Sequence, residues 1–201
     1  MSDEKPVLKI ITLGDSGVGK TSIFKRYVHN NFDEDNLSTV GIGYYFKDFN
    51  LGPKIGYNLK LIDTAGQEKY MSVCKGYFRD VDGVLLIFSL DDKETFDNLN
   101  NWLDVFNETV GTNDIPKYLI GNKCDINNEF DTNLIEDFMK KNNIIGYKFT
   151  SSKDNHFINE IFEEIVKAIN EKSNNKKPKK KKSKIKLENN NNTNKKKKKF
   201  C

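Results

Sequence analysis

The stretch with the most specific chemistry is Gly14-Asp15-Ser16-Gly17-Val18-Gly19-Lys20-Thr21, which reads G-x-x-x-x-G-K-[ST]. It follows an apolar run over residues 7–13 and leads into a segment with helical character, the setting that a phosphate-binding loop requires. Backbone N–H groups from Ser16 to Ser22 can converge there on phosphate oxygens. We expect Lys20 to add a full positive charge at the β and γ phosphates and the Thr21 hydroxyl to coordinate Mg²⁺. The stretch therefore predicts a site for the phosphates of a nucleotide.

Two further features belong to this expectation. Gly17 and Gly19 should adopt backbone conformations that a side chain would hinder. Asp63 ends the apolar run of a predicted strand over residues 57–62, so its carboxylate should lie beside the loop, at the carboxyl edge of the sheet. Because Mg²⁺ is held by few protein ligands and several waters, Asp63 is suited to hold a water of the metal's shell. An isolated Asp after a strand is more often a turn or capping residue, but Thr64-Ala65-Gly66-Gln67-Glu68 follows here.

A second candidate stretch, Asn122-Lys123-Cys124-Asp125, follows the predicted strand over residues 117–121. Guanine differs from adenine in presenting an O6 acceptor together with N1–H and N2–H donors. A carboxylate accepts hydrogen bonds and donates none, so one that accepts two of them selects guanine. Asp125 is the residue suited to that role. By itself the tetrapeptide is typical of a charged loop; the phosphate-binding stretch upstream favours a guanine site.

Apolar, strand-like runs alternate with helical patterns along the chain. Strands are predicted over residues 7–13, 43–51, 57–62, 84–89, 117–121 and 145–149, and helices over residues 21–30, 93–106, 132–141 and 157–169. The alternation predicts an α/β fold with about six mostly parallel strands and helices on both faces. Together with the phosphate-binding motif Gly14–Thr21, it is typical of the P-loop NTPase fold. Residues 43–62 break it, because the connection over residues 51–56 is too short for a crossover helix. We expect an antiparallel hairpin there, at one edge of the sheet.

Charge divides the 201-residue chain in two. Residues 171–201 hold 14 Lys and 2 Glu and carry +12; since the whole chain carries +4, the first 170 residues carry −8. From about Lys172 onward apolar residues nearly vanish, and such a segment cannot bury enough surface to offset its ordering entropy. We predict a domain over residues 1–171 and a disordered tail, rich in Lys and Asn, over residues 172–201.

Composition also indicates the cellular setting. The longest apolar run, over residues 84–88, is too short to span a membrane, and residues 1–5 contain neither a signal-peptide core nor a myristoylation site. The three cysteines lack metal-like spacing and do not suggest a disulfide framework. We expect a cytoplasmic chain.

Four motifs have the order and spacing found in small GTPases of the Ras superfamily, which the chain resembles over about residues 7–170. They are Gly14–Thr21, Asp63–Gln67, Asn122–Asp125 and Thr150-Ser151-Ser152-Lys153. The resemblance implies binding of GTP or GDP with Mg²⁺ and slow hydrolysis of GTP. Because no intrinsic arginine finger is apparent, it also implies an activating protein that supplies one.

The resemblance assigns roles around the phosphates. Phe32 occupies the position of an aromatic that lies against the base, and Thr39 that of the switch threonine that senses Mg²⁺ and the γ phosphate. Gly66 matches the glycine whose N–H reaches the γ phosphate, and Gln67 matches the catalytic glutamine that orients the attacking water. The implied metal-binding residues are Thr21, Thr39 and Asp63.

The resemblance also assigns the base contacts. Asn122 is expected to tie the base region to the phosphate loop, and the Lys123 stem to cover a face of the ring. The fourth motif places Ser151, Ser152 and Lys153 at the base. The Ser152 N–H, where the family usually has Ala, is expected to donate to O6, and Lys153 to flank the ring.

Within the superfamily the chain is most similar to Rab proteins, through its phosphate loop and through residues 39–42 and 66–70. It departs from them at Ile62, where Rabs carry Trp, and at Gly43 and Tyr44, where they carry an acidic residue and Phe. These departures imply a divergent effector surface. Three alternatives stay open: a Ran-like regulator, a GTP-loaded interaction module with negligible hydrolysis, and a P-loop ATPase or kinase, against which the predicted guanine carboxylate argues.

As a Rab-like protein the chain is expected to act as a switch in vesicle-mediated membrane traffic. The implied partners are an exchange factor, an activating protein, and effectors that contact residues about 32–46 and 64–77. Several apolar side chains near these segments belong either to that surface or to the core: Tyr44, Tyr45, Tyr70, Met71 and Tyr77. We expect a monomer with no nucleic-acid partner.

The chain ends in five lysines, residues 195–199, followed by Phe200 and Cys201, and has neither the paired cysteines of most Rabs nor a CaaX box. Prenylation of Cys201 is our hypothesis, because one lipid chain plus a polybasic run anchors stably to an anionic membrane. The chain would then be peripheral on the cytosolic face of a membrane. A solvated tail without a specific role, or one for nuclear targeting or nucleic-acid binding, stays open.

Overall fold

The computed structural model of the chain describes residues 5–34, 39, 41–66, 74–111 and 114–176. The strands within these ranges are β1 (Val7–Leu13), β2 (Ile42–Asn50), β3 (Gly56–Thr64), β4 (Gly83–Ser89), β5 (Lys117–Asn122) and β6 (Gly146–Thr150). The helices are α1 (Lys20–His29), α2 (Glu94–Asp97), α3 (Leu99–Val110), α4 (Thr132–Asn142) and α5 (Ile158–Lys176).

All six strands form one sheet in the order β2-β3-β1-β4-β5-β6. β2 and β3 pair antiparallel, from Ile42 opposite Thr64 to Asn50 opposite Gly56, and the other neighbours pair parallel. Every residue of the central strand β4 is buried, whereas residues of the edge strand β2 alternate between half-buried and exposed. The predicted α/β fold with an antiparallel hairpin at one edge is confirmed.

Helices cover both faces of the sheet, as predicted. On one face, α1 and α5 pack against β1, β3, β4 and β5 through a core in which the rings of Tyr27 and Phe162 stack with centroids 3.6 Å apart. On the other, α2, α3 and α4 pack through aromatic contacts such as Phe96 with Phe138, whose centroids lie 5.2 Å apart. Because β1, β3, β5 and β6 run in the same direction, their carboxyl ends lie at one edge of the sheet, and the predicted motifs follow them there.

Two helix predictions need correction. The single helix predicted over residues 93–106 is wrong, because α2 and α3 meet at Asn98 and α3 continues to Val110. α3 ends at Gly111, whose φ of 66° suits a helix C-terminus that favours glycine. The apolar stripe predicted the core-facing part of α5 but not its length, because the residues beyond Ile169 are polar and the helix still continues to Lys176.

This extension of α5 bears on the predicted tail. Disorder was expected from Lys172, but that residue lies in α5, and its Nζ forms an ion pair with Asp114 at 2.8 Å. Residues 177–201 lie outside the described ranges, so the tail itself stays a prediction. In the part of the chain that the structure describes, no helix combines the length and apolarity needed to cross a bilayer.

One long-range contact attaches the β1–α1 loop to the opposite helical layer. The Asp15 carboxylate accepts hydrogen bonds from Nδ2 of Asn98 at 2.8 Å and from Nε1 of Trp102 at 2.7 Å. The Trp102 side chain is almost fully buried, so its N–H depends on this acceptor. The contact fixes the start of the loop against the junction of α2 and α3.

Replacing Asp15 tests this attachment. Asp15→Ala should lower the free energy of unfolding by about 2–4 kcal/mol, because two donors lose their acceptor and one of them is buried. Asp15→Asn should cost about half as much, since its carbonyl still accepts from Trp102 and a rotated Asn98 amide can pair with its NH₂ group. Urea denaturation at one fixed GDP concentration, followed by fluorescence of the single tryptophan, measures both losses. Equal losses would show that Asp15 does not act through these hydrogen bonds.

Candidate nucleotide and metal site

A cavity of about 420 Å³ lies at the carboxyl edge of the sheet, within the size range of small-molecule sites. Most of the predicted site residues line it: Ser16, Gly17, Gly19, Lys20, Thr21, Ser22, Phe32, Thr39, Gly66, Asn122, Lys123, Asp125, Ser152 and Lys153. Four residues outside the predicted set also do so: Asp33, Glu34, Thr64 and Ile126. Segments more than a hundred residues apart in sequence thus meet around one space.

Three of the predicted site residues, Asp15, Val18 and Ser151, do not line the cavity but lie next to it. The carboxylate of Asp15 is held by Asn98 and Trp102, and the side chain of Val18 is buried in the core beneath the loop. Ser151 is also buried, and its hydroxyl accepts the Asp154 N–H at 2.9 Å. These three therefore shape the loops, and only their backbone groups remain as candidates for contact with a ligand.

The phosphate loop has the backbone that the sequence predicted. Gly17 and Gly19 have φ angles of 80° and 95°, a region that L side chains rarely adopt. At Gly19 there is also no space, because a Cβ would lie 2.2 Å from Nδ2 of Asn122. The loop then enters α1, whose first-turn N–H groups have no acceptor within the helix.

Lys20 places a buried ammonium under this loop. Only 5% of the residue is exposed, and Nζ donates to the carbonyls of Gly14 at 2.9 Å and Asp15 at 2.7 Å. Burial lowers the pKa of Lys20 to about 8, an effect that the nearby carboxylates of Asp63 and Asp15 oppose. A further anion in the loop would favour the charged form of the lysine. The site is therefore suited to a ligand with negative charge.

The three predicted metal residues lie together beside Lys20. The Thr21 hydroxyl donates to Oδ2 of Asp63 at 2.6 Å and lies 2.7 Å from the Thr39 hydroxyl. Asp63 is 1% exposed, and among the described residues its Oδ1 has no hydrogen-bond partner. Burial raises the pKa of Asp63, against the lowering effects of the Thr21 hydroxyl and of Lys20.

This arrangement fits Mg²⁺. An unpaired buried carboxylate oxygen is costly, and a cation with its bound waters would satisfy it. One carboxylate and two hydroxyls are oxygen donors of the kind that Mg²⁺ accepts, and they leave the remaining positions to water and phosphate. That these three residues hold Mg²⁺ stays a prediction, which the unpaired oxygen of Asp63 supports.

Asn122 connects the two ends of the cavity. Its Nδ2 donates to the carbonyl of Val18 at 2.9 Å, and its Oδ1 accepts from the Thr150 hydroxyl at 3.2 Å. Oδ1 also accepts a longer hydrogen bond from the Ser152 N–H, at 3.4 Å. The backbone donor expected to serve guanine O6 thus lies at the cavity wall within reach of Asn122.

Two lysines flank the base end of the cavity, and both are paired with acidic residues. Lys123 lies 3.4 Å from Asp91, and Lys153 lies 2.9 Å from Glu34. The second pair joins the loop after β6 to the segment after α1, on either side of the cavity. Sequence reasoning missed Glu34, since nothing in its local sequence marks it as a partner of a lysine 119 residues away.

Two predicted functional residues lie outside the described ranges, the catalytic Gln67 and the C-terminal Cys201. Tyr70 and Met71 do so as well. Their predicted roles stay predictions.

The remaining residues of the predicted interaction surface divide between surface and core. Tyr44 and Tyr77 are exposed and meet edge to face, with ring centroids 6.2 Å apart. Tyr45 packs instead against Phe24 in the core, at 5.8 Å. Ile62, which replaces the Trp of typical Rabs, is almost fully buried. Phe46 is exposed as well, so among the described residues the aromatic side chains that this surface offers are Tyr44, Phe46 and Tyr77.

Comparison with known proteins identifies the family. The Ras family model matches residues 9–171. Ras-related protein Rab-9B of Homo sapiens is 35% identical over 173 residues, which cover 84% of this chain and 86% of the relative. Ras-related protein SEC4 of Saccharomyces cerevisiae is 33% identical over 172 residues, covering 85% and 79% respectively. Ras-related protein Rab-12 of Mus musculus is 36% identical over 170 residues, covering 82% and 68%. The chain belongs to the Ras family and is a divergent Rab-like small GTPase.

Proposed function

We propose that the chain is a GTP-hydrolysing switch in vesicle-mediated membrane traffic. One observation carries the proposal: residues from the three groups predicted to bind phosphates, metal and base line one cavity of about 420 Å³. We call the loop after β6 that contains Ser152 and Lys153 the base-recognition loop. A nucleotide with a guanine base, several phosphates and Mg²⁺ matches all three parts.

The base end selects guanine. The carboxylate of Asp125 lines the cavity and accepts from N1–H and N2–H, an arrangement that adenine cannot satisfy. The rings and stems of Phe32, Lys123 and Lys153 enclose the base from the sides. Asn122 holds this end at a set distance from the phosphate loop, through its bond to the Val18 carbonyl.

The phosphate end binds and orients the triphosphate. Lys20 and the N–H groups that begin α1 contact its oxygens, and the ammonium exchanges loop carbonyls for phosphate. Thr21, Thr39 and Asp63, whose oxygens lie together, would hold the metal, with the Asp63 carboxylate suited to bind one of its waters. Mg²⁺, when bound, neutralises charge on the phosphate oxygens. Gln67 orients the attacking water, and hydrolysis is slow until an activating protein adds an arginine.

Thr39 couples the nucleotide to the surface. Its hydroxyl lies at the metal-binding set, while the segment that contains it leads into β2 at the sheet edge. The segment after β3 is joined to this one, because the Ala65 N–H donates to the Gly41 carbonyl at 3.0 Å. Loss of the γ phosphate releases both segments and changes the surface over residues 32–46 and 64–77. Exchange factors, activating proteins and effectors bind this surface and distinguish its two states.

The lysine-rich tail attaches the protein to a membrane. One lipid on Cys201 together with the polybasic run gives the two signals that stable anchoring takes. Each lysine near an anionic leaflet contributes about 1 kcal/mol. The protein is then peripheral on the cytosolic face of a membrane.

Replacing the guanine carboxylate tests the base site. Asp125→Asn should weaken GDP binding by about 10²- to 10⁴-fold, because two hydrogen bonds to a charged acceptor are lost. The same change should improve binding of xanthosine diphosphate, whose base presents a carbonyl where guanine has an amino group. Titration of fluorescent nucleotide analogues measures both constants.

A matched control is Asp154→Asn, an exposed residue of the neighbouring loop that does not line the cavity. Its GDP affinity should stay within about twofold of the parent, since it lacks a place at the base. Unchanged GDP affinity in Asp125→Asn would show that the base site is assigned to the wrong residue.

Replacing the proposed catalytic glutamine tests hydrolysis separately from binding. Gln67→Leu should lower single-turnover GTP hydrolysis by about 10- to 100-fold, because the attacking water is no longer oriented. Affinity for GTP should hardly change, since the side chain contributes only in the transition state. Phosphate release from preloaded protein measures the rate. Equal turnover in both proteins would exclude Gln67 from catalysis.

Membrane attachment through the tail is tested in cells with an N-terminally tagged full chain. Cys201→Ser should move most of the protein from the membrane fraction to the soluble fraction. Replacement of lysines 195–199 by Gln should reduce membrane binding less severely, because the lipid remains while part of the electrostatic attraction is lost. An unmodified Cys201 in the mass spectrum of the native protein would refute the anchor.

A further inference from the structure

Arg26, in α1, contacts the loop after β6 that contains Ser152 and Lys153. Its Nε–H donates to the carbonyl of Ser152 at 2.8 Å, and its Nη2–H donates to the carbonyl of Lys153 at 2.9 Å. Its Nη1–H donates to the carbonyl and the side-chain oxygen of Asn30, at 2.9 and 3.3 Å. Arg26 as a residue is half-buried and does not line the nucleotide cavity, whereas Ser152 and Lys153 do.

These contacts orient the peptide groups of the loop. The described chain has no cis peptide, so the N–H of each peptide points away from its own carbonyl. Because Arg26 draws the Ser152 carbonyl to its own side of the loop, the N–H of Lys153 lies on the opposite side. Asn122 holds the preceding N–H, that of Ser152, at the cavity wall. The loop is therefore held from two sides, by Arg26 behind it and by Asn122 within the site.

The contacts of Arg26 with these two carbonyls change which polar groups of the loop can face a ligand in the cavity. Both carbonyls, the negative ends of these peptide dipoles, are engaged by a cation outside the cavity. The Asp154 N–H donates to the Ser151 hydroxyl, so the Lys153 N–H is the group of these two peptides that remains to face the base. A ligand atom that accepts hydrogen bonds is favoured at such a place. Without Arg26 the Ser152 carbonyl is free to rotate toward the cavity, where it would repel an acceptor, whereas the Lys153–Asp154 peptide is still held by the Ser151 hydroxyl.

Arg26 also links the two ends of the ligand. It lies on α1, the helix whose N-terminus begins with Lys20 in the phosphate loop. Its two-point grip on neighbouring carbonyls uses the planar fork of a guanidinium, which a lysine cannot reproduce. The base loop is thereby set relative to the phosphate-binding helix.

We propose that Arg26 is a positioning residue that fixes the peptide between Ser152 and Lys153 so that the Lys153 N–H faces O6 of guanine, beside the Ser152 N–H that Asn122 holds, and so contributes to selection of the base. This inference rests on the proposed guanine site. Arg26 lies on a helix, outside the cavity, and would still contribute to specificity. Asp125 accepts hydrogen bonds from N1–H and N2–H, and Arg26 orients the backbone donor for O6.

The test uses the full chain and three diphosphates. 6-Thio-GDP differs from GDP only in the acceptor at position 6, where sulfur is weaker, and IDP differs only in lacking the 2-amino group. In the parent protein GDP should bind more tightly than either. In Arg26→Ala, GDP affinity should fall about 10- to 100-fold, and the ratio of GDP to 6-thio-GDP affinity should shrink at least about threefold, because two charge-assisted hydrogen bonds to the loop are lost. The ratio of GDP to IDP affinity should stay the same.

The variants distinguish positioning from general stability. Arg26→Lys should give an intermediate 6-thio-GDP ratio, and it carries the same test if Arg26→Ala does not fold. Arg79→Ala makes the same chemical change at an exposed position outside the cavity and should alter neither ratio. If Arg26→Ala weakens all three ligands equally, or leaves GDP affinity unchanged, the inference is wrong. If the parent itself does not distinguish GDP from IDP, the proposed guanine site fails instead.

Discussion

The buried amide of Asn122 is the contact on which the rest of the site depends. It stands at the end of β5 and joins three segments, because it donates to Val18 in the phosphate loop and accepts from Thr150 at the end of β6 and from Ser152 in the loop that follows. Position 19 must be glycine for the amide to lie there, since a Cβ would come within 2.2 Å of Nδ2. One side chain thus sets the separation between the phosphate end and the base end of the cavity. Arg26 reinforces that separation from behind.

The site is also a place where folding and ligand binding are linked. Lys20 and Asp63 are buried close together, and burial shifts both pKa values toward the neutral forms. Oδ1 of Asp63 has no partner within the described part of the chain, which is a cost that the protein bears without ligand. An anion over Lys20 and a cation at Asp63 would offset that cost. Binding of the proposed nucleotide and metal would therefore also stabilise the folded state by mass action.

The chemistry of the site was readable from local sequence, because each motif lies within a few consecutive residues at the end of a strand. Gly14–Thr21, Asp63 and Asn122–Asp125 were each placed from strand patterns and from what phosphate, Mg²⁺ and guanine require. The parallel sheet then brings their loops together at one edge, since strands that run the same way end on the same side. The helix ends were less predictable. α5 continues beyond its apolar stripe to Lys176, where backbone hydrogen bonds propagate the helix without core contacts.

The sequence by itself determined the fold class, the family and the residue types that face a nucleotide, since these depend on periodicity and on short motifs. Only the tertiary structure decided which side chains hold those motifs in place. The Asp15 carboxylate finds its donors 83 and 87 residues away, and Arg26 finds its acceptors 126 and 127 residues away. The tertiary structure also buried Ile62 and exposed Tyr44 and Tyr77. Contacts between distant segments leave no local pattern, because they arise only when the sheet and its two helical layers have formed.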